Sequence, residues 1–352
     1  MKKIVFFFFT LLIGLILFFI AFKKIGLENI VSALSNISTI QFFLVFGIII
    51  FSFLVGTLRL KTILKTQLSE KISFLDVLIA RTIGFSINYL TPIVFAGGQP
   101  LKAYVLKTRT KASLHKIVVS IIISEAIFLS ILFFFVILGA FFLFFSFNLP
   151  CFLENLILGI TFFCFIIFCL FYYRIIKKSP DKRGFFTFFI EILHLDKIDL
   201  INNAKTQIAD VEKEIFYFFK HQKSKLALVS LFTIIEIILL FLTYWLIISF
   251  LGDKLSIGEI ISINALINLV YFIPIPAALG SFEWSQALIF NVFGMNFNTG
   301  IAFSLIVRVL NLILAGLGIF LLIHFEIKTL TKRAGTTLQK LLRFNVNSDK
   351  IL

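Results

Sequence analysis

Two apolar segments of this chain are interrupted at places where a helix crossing a membrane has to be continuous. The first interruption contains Asn88, Thr91, Pro92, Gly97, Gly98, Gln99 and Pro100. The second contains Asn268, Pro274, Pro276, Gly280, Ser281 and Glu283. Non-helical backbone at membrane depth occurs only where protein or a water-filled cavity covers it. We therefore expect both interruptions to lie inside the protein and to form its functional site.

The composition places the chain in a membrane. Of its 352 residues, 60% are hydrophobic, against roughly 45–50% in soluble domains. The net charge of +15 would suggest a nucleic-acid partner in a soluble protein, but the lysines and arginines lie in the links between apolar spans. The positive-inside rule accounts for that distribution. The sequence predicts a polytopic membrane protein with no nucleic-acid partner.

Six segments are long and apolar enough to cross about 30 Å of hydrocarbon. They are residues 4–22, 40–60, 117–147, 152–176, 226–251 and 301–324. No small-residue cleavage site follows the first segment, which favours an uncleaved helix over a signal peptide. The two interrupted segments, 72–106 and 257–293, each predict a re-entrant hairpin that enters and leaves on one side.

The distribution of charge predicts the orientation. With the N-terminus in the cytoplasm, the basic links 59–71, 102–116, 174–225 and 328–350 all become cytoplasmic. A single crossing by either interrupted segment would place later basic links outside. We therefore expect both termini on the cytoplasmic side of the membrane.

This topology predicts an all-α polytopic membrane protein with six full transmembrane helices and two broken re-entrant hairpins in inverted-topology repeats, as in secondary transporters. Five regions follow from it. They are an N-terminal helix and link at 1–39, a first repeat at 40–147, a connecting helix and cytoplasmic segment at 148–225, a second repeat at 226–324, and a basic cytoplasmic tail at 325–352. The first hairpin opens to the cytoplasm and the second to the outside.

One cytoplasmic segment predicts an amphipathic helix, because its apolar residues recur at spacings of three and four. These residues are Ile201, Ala204, Ile208, Val211, Ile215 and Phe218. Such a helix lies over the cytoplasmic ends of the bundle or binds a partner or anionic lipid; we favour the first. Cys151, Cys164 and Cys169 have no metal-ligand spacing, so we expect neither a metal nor a cofactor.

The first interruption carries residues that suit an anion. Gly97 and Gly98 permit a turn, Pro100 suits the first turn of a new helix, and Lys102 adds a full charge. An exposed helix N-terminus has unpaired N–H groups that favour phosphate or carboxylate. The alternative is that glycine and proline only permit a tight reversal of the chain.

The second interruption places Ser281 where it can cap a helix, with Glu283 in its first turn. Glu283 stabilises its own helix end, or it meets Arg308, another cation or an amine. We expect Asn88, Asn264 and Asn268 to tie broken backbone together by hydrogen bonds.

Charges within the predicted helices should face the interior and find partners. They are Arg81, Glu125, Glu236 and Arg308, to which Glu283 is added. Two cations against three acids leave one acid unpaired. A headgroup carrying both phosphate and amine matches that lining, and purely structural salt bridges are the alternative.

Several motifs together resemble one family. They are Asn88 with Thr91-Pro92, Gly97-Gly98-Gln99 through Lys102, Ser124-Glu125, Pro274-Ile275-Pro276, Gly280 to Glu283, and Arg308. In this combination the chain resembles the lysylphosphatidylglycerol synthase transmembrane region, the flippase-like domain of the multiple peptide resistance factor and its stand-alone relatives. Gln99 and Lys102 stand where that family usually has glutamate and arginine, a departure that concerns headgroup preference more than fold.

The resemblance implies movement of a phospholipid, such as aminoacylated phosphatidylglycerol, across the cytoplasmic membrane. A second hypothesis is a membrane subunit that presents lipid to a separate synthase or glycosyltransferase, and association of identical chains stays open. A third, suggested by the family's name alone, is a phosphatidylglycerol lysyltransferase. Residues 177–225 are too few for a catalytic domain, and no nucleophile with a base is evident. We therefore expect no enzyme activity and no catalytic residues.

Overall fold

The computed structural model describes residues 35, 37–68, 70–91, 97–147, 151–177, 184, 187, 199–270 and 281–348. Within these ranges the chain forms ten α-helices. They are α1 (Thr39–Gln67), α2 (Phe74–Leu90), α3 (Gln99–Arg109), α4 (Leu114–Ser146), α5 (Cys151–Lys177), α6 (Asp199–His221), α7 (Lys223–Phe250), α8 (Ile257–Val270), α9 (Ser281–Val292) and α10 (Phe297–Ser348).

Five helices in the described part of the chain are long and apolar enough to cross a membrane. They are α1, α4, α5, α7 and the part of α10 up to His324. These correspond to five of the six predicted spans, and the sixth, residues 4–22, lies outside the described residues. The chain is a multi-pass helical membrane protein.

Two predicted boundaries differ from the structure. Helix α1 continues to Gln67, so Arg59, which we expected to begin a cytoplasmic link, lies within the helix. The apolar residues Leu60, Ile63 and Leu64 follow it and are buried, which extends the packed face of the helix past the charge. At the other end of the chain, α10 is one continuous helix to Ser348 that includes most of the predicted basic tail.

Capping residues fix where several of these helices begin. Before α1, the Ser38 hydroxyl accepts from the Gln41 N–H at 3.3 Å, and the Gln41 side chain accepts from the Ser38 N–H at 2.9 Å. Ser256 and Glu259 form the same reciprocal pair before α8. These capping boxes satisfy N–H groups that the first turn leaves unpaired.

Each interrupted segment forms two short helices. Helices α2 and α3 have 17 and 11 residues, and α8 and α9 have 14 and 12. At 1.5 Å per residue the longest of them reaches about 25 Å, short of a full crossing. The turn residues Pro92, Pro274, Pro276 and Gly280 lie outside the described residues.

In each helix pair, the first helix begins and the second helix ends at the same end of the bundle. The two pairs have these free ends at opposite ends of the bundle. Arg109 at the end of α3 lies 2.5 Å from Asp76 at the start of α2, beside the N-terminal end of α4. Gly258 at the start of α8 packs on Phe142, and Phe293 just after α9 stacks edge-on with Phe147. Both of these contacts are at the C-terminal end of α4.

The helices of the two predicted repeats pack reciprocally. Helix α1 packs along α7, while α2 packs on α10 and α8 packs on α4. Ser86 of α2 lies against Gly318 of α10, and Ser262 of α8 donates to the Gly139 carbonyl of α4 at 2.9 Å. The two serines begin the same Ser-Ile-Asn sequence, at 86–88 and 262–264, a short internal repeat that the sequence analysis missed.

The predicted amphipathic helix is present as α6. Its residues Ile215 and Phe218 are buried in one apolar cluster with Ile63, Val119 and Val229. These partners lie near the C-terminal end of α1 and the N-terminal ends of α4 and α7. Helix α6 therefore covers one end of the bundle, in agreement with the favoured interpretation of this segment.

Two large apolar clusters lie toward opposite ends of the bundle. One includes Val45, Ile263, Phe290 and Phe303, and the other includes Leu64, Ile83, Val105, Ile117 and Leu322. Charged and polar side chains collect between them, where the next section places the candidate site.

Candidate functional site

A cavity of about 290 Å³ lies between the two apolar clusters. Seven helices contribute to its wall: α1, α2, α3 and α4 from the first half of the chain, and α7, α8 and α10 from the second. Its polar lining consists of Ser52, Arg59, Arg81, Asn88, Tyr89, Lys102, Glu125, Glu236, Thr243, Tyr244, Asn268 and Asn311. The cavity thus combines residues from both interrupted segments.

Glu236 of α7 joins two arginines across the cavity wall. Its carboxylate lies 2.8 Å from Arg59 Nη1, and its other oxygen accepts from Arg81 Nη2. Arg59 also donates through Nε to the Ser124 hydroxyl at 3.2 Å. A buried charge is costly unless it is paired, and in this cluster each of the three charged groups has an oppositely charged partner.

The Arg81 guanidinium occupies space that a glycine provides. A Cβ at Gly56 would overlap with the guanidinium nitrogens. The guanidinium donates through Nη1 to the Phe53 carbonyl at 2.9 Å and lies 4.5 Å from the centre of the Phe53 ring. Gly56 and Phe53 therefore hold Arg81 in the position from which it reaches Glu236.

Lys102 of α3 and Glu125 of α4 form a second ion pair, of which the lysine is buried. Lys102 Nζ lies 3.0 Å from Glu125 Oε1, and the exposed fractions of the two side chains are 6% and 25%. The corresponding fraction for Glu236 is 9%. Glu125 is therefore the more accessible of the two cavity carboxylates.

A third pair lies behind the cavity wall. Arg308 of α10 contacts Glu283 in the first turn of α9, which confirms one of the partners expected for Glu283. Neither residue lines the cavity, but Arg308 lies beside Tyr89, which does. Glu283 and Arg308 therefore lie behind the polar lining, and Tyr89 stands between them and the cavity.

The first interruption is held together by Asn88 and two glycines. The Asn88 side-chain oxygen accepts from the Gly98 N–H at 2.5 Å, as expected of this asparagine. A Cβ at Gly98 would overlap with the Gly84 carbonyl oxygen. Pro100 lies in the first turn of α3, as predicted. Thr91, Gly97 and Gln99 belong to the same turn region and do not line the cavity.

The bonds that Asn264 and Asn268 make among the described residues lie along a single helix. Asn264 donates to the Ile260 carbonyl and Asn268 to the Asn264 carbonyl, each at 2.8 Å. These bonds lie within α8. Asn268 also reaches the cavity lining. Ser281 is the first residue of α9 rather than the residue before it, so the capping role expected of it stays a prediction.

The expected unpaired acid is not found among these side chains. Two further cations enter the set: Arg59, which we had placed in a link, and Lys102, which we had not counted with the helix charges. Glu125, Glu236 and Glu283 each have a basic partner. The cavity itself holds Arg59, Arg81 and Lys102 against Glu125 and Glu236, so the excess charge is positive rather than negative.

Sequence reasoning missed six polar residues of the lining: Ser52, Arg59, Tyr89, Thr243, Tyr244 and Asn311. For Arg59 the signal was present in the buried residues Leu60, Ile63 and Leu64, which continue the apolar face of α1 beyond it. For Asn311 the signal was a polar residue in the middle of the apolar span 301–324. No group of acidic, histidine or cysteine side chains suited to a metal ion occurs in the described ranges.

The fold and the cavity define a multi-pass helical membrane protein with a charged cavity lined by helices from both halves of the chain. Over residues 7–318 the chain matches the model of the family described as the lysylphosphatidylglycerol synthase TM region. The match covers most of the chain, and the chain belongs to this family. Neither curated proteins nor solved structures gave a significant match.

Proposed function

We propose that this chain binds the headgroup of a phospholipid in the central cavity and carries it between the leaflets of the bacterial cytoplasmic membrane. The observation that carries the proposal is the cavity wall, in which both halves of the chain place buried charges around one space. Cavities at the interface of two repeats are where transporters hold their substrates. The acyl chains remain in the surrounding lipid.

The proposed topology has residues 40–147 and 226–324 as inverted repeats, with two re-entrant hairpins. It is supported by hairpins that open at opposite ends of the bundle, by the reciprocal packing of α2 on α10 and of α8 on α4, and by the repeated Ser-Ile-Asn sequence. In this topology both termini are cytoplasmic, the first hairpin opens inward and α6 lies on the cytoplasmic side.

The proposed alternation is a rocking of the two repeats against each other, and the contacts that join the repeats support it. Glu236 of the second repeat pairs with Arg59 and Arg81 of the first. Rocking of one repeat against the other would separate Glu236 from the two arginines. A ligand with a negative charge could then take the place of Glu236 as their partner. A lipid phosphate supplies the negative charge that the arginines need during that exchange.

The direct test is leaflet exchange of acyl-labelled phosphatidylglycerol in vesicles that contain only the purified chain. We expect exchange well above that of protein-free vesicles. Exchange at the protein-free rate by folded chain would overturn the proposal. If a synthase or glycosyltransferase that copurifies with the chain then acted on lipid only when the chain was present, the chain would be a lipid-presenting subunit.

A further inference from the structure

We infer that the central cavity selects phospholipids whose headgroup carries one net negative charge and no amine, such as phosphatidylglycerol. The inference rests on the proposed function for the identity of the site. It goes beyond that proposal by specifying the headgroup. It excludes aminoacylated phosphatidylglycerol as the preferred ligand.

The charge count of the lining is the first argument. Arg59, Arg81 and Lys102 contribute three positive charges, and Glu125 and Glu236 contribute two negative charges. One positive charge remains in a space where water screens it poorly. A phosphodiester brings one negative charge and makes the occupied cavity neutral. A lysyl ester of the same lipid carries a net positive charge and would raise the excess to two.

The carboxylates provide the second argument, because both already bind cations. The two oxygens of Glu236 contact Arg59 and Arg81. Glu125 holds Lys102 at 3.0 Å. A lipid ammonium approaching the exposed side of Glu125 would therefore meet the like charge of Lys102 at the same carboxylate.

The uncharged part of the lining suits a polyol. Tyr244, Asn268 and Asn311 add hydroxyl and amide groups to the wall, and such groups can donate to and accept from the hydroxyls of glycerol. The same groups give no charge with which to hold an ammonium ion.

The volume of the cavity agrees with a small headgroup. About 290 Å³ is at the lower end of the roughly 300–1,000 Å³ of small-molecule sites. A space of this size accommodates a compact headgroup such as a phosphate with its glycerol.

The test compares short-chain phosphatidylglycerol, phosphatidylethanolamine and lysyl-phosphatidylglycerol as ligands of the purified full chain in detergent. A ligand that binds the folded state raises the melting temperature, so titration of that shift gives the relative affinities. We expect phosphatidylglycerol to bind at least about tenfold more tightly than the lysyl lipid. The same lipids with labelled acyl chains are compared for leaflet exchange.

Charge-matched variants identify the cause of the preference. Lys102→Gln makes the lining formally neutral and should abolish the preference for phosphatidylglycerol. Lys102→Gln combined with Glu125→Gln restores one excess positive charge, leaves no broken pair, and should recover the preference. Lys213→Gln removes a lysine from an exposed pair with Asp210 and should change neither binding nor exchange.

The outcomes separate the inference from the proposed function. Equal or tighter binding of the lysyl lipid, or a preference unchanged in Lys102→Gln, would overturn the inference even if lipid exchange occurs. Selective binding without exchange would support the inferred selectivity and overturn translocation. Neither binding nor exchange by folded chain would overturn both.

Discussion

Glu236 and Arg59 form a 2.8 Å salt bridge in which only 9% and 4% of the two side chains are exposed. The carboxylate comes from α7 and the guanidinium from α1, so the bridge joins the two proposed repeats. Arg81 of α2 contacts the other carboxylate oxygen. One acid thus pairs with two cations across the cavity wall.

We expect Glu236→Gln to destabilise the protein more than Arg59→Gln, because the first leaves two buried arginines uncompensated and the second leaves the Arg81 contact in place. Removing one partner of a buried pair typically costs about 3–5 kcal/mol. The double variant should lose less stability than the sum of the single variants. Reversible unfolding in mixed micelles measures all three. Strictly additive losses would show that the two groups are not coupled.

Gly56→Ala should displace Arg81, because the new methyl group would overlap with its guanidinium. The expected result is loss of lipid exchange together with a lower melting temperature. The matched control is Gly47→Ala in the same helix, where no atom lies within 4 Å of the added carbon. Alanine is favoured over glycine in a helix by roughly 0.5–1 kcal/mol, so the control should be neutral or slightly stabilising. Equal behaviour of the two variants would contradict the role given to Gly56.

Gly139→Ala and Gly318→Ala test the reciprocal packing of the two halves. A Cβ at Gly139 would lie 2.7 Å from the Ile261 carbonyl oxygen of α8, and one at Gly318 would overlap with the Thr82 carbonyl oxygen of α2. Both variants should destabilise the protein by about 1–3 kcal/mol, the usual cost of overpacking. Gly159→Ala, with nothing within 4 Å, serves as control. A loss in only one of the two variants would argue against equivalent contacts.

Phe218→Ala should remove the anchor that holds α6 on the bundle. The side chain is fully buried, and truncating a buried phenylalanine costs about 3–5 kcal/mol. The adjacent Tyr217 is 56% exposed, so Tyr217→Ala should change stability much less. Proteolysis within α6 and thermal unfolding would both report the difference. Similar losses in the two variants would mean that α6 does not pack through Phe218.

Five of the predicted spans could be derived from the sequence because hydrocarbon demands long apolar helices and leaves few alternatives. The interruptions were equally visible, since glycine and proline at 97–100 end one helix and begin another. The contact between Asn88 and Gly98 follows from the same local chemistry. These features depend on residues that are close together in the sequence.

The charge pairing could not be derived in the same way, because it depends on contacts between distant helices. Lys102 was visible as a charge near the turn, but its partner Glu125 depends on how α3 packs on α4. Arg59 was assigned to a link because the predicted apolar span ended at Leu60. The error in these two residues reversed the sign of the excess charge in the cavity.

The most direct test of the account is whether filling the cavity stops lipid exchange. Thr243 lines the cavity and is 1% exposed, whereas the adjacent Leu242 is 37% exposed on the outer surface. Thr243→Trp should place an indole in the headgroup space, and Leu242→Trp adds the same group outside it. We predict that folded Thr243→Trp exchanges phosphatidylglycerol at the protein-free rate while Leu242→Trp matches the original chain. Unchanged exchange in folded Thr243→Trp would show that the lipid does not pass through this cavity.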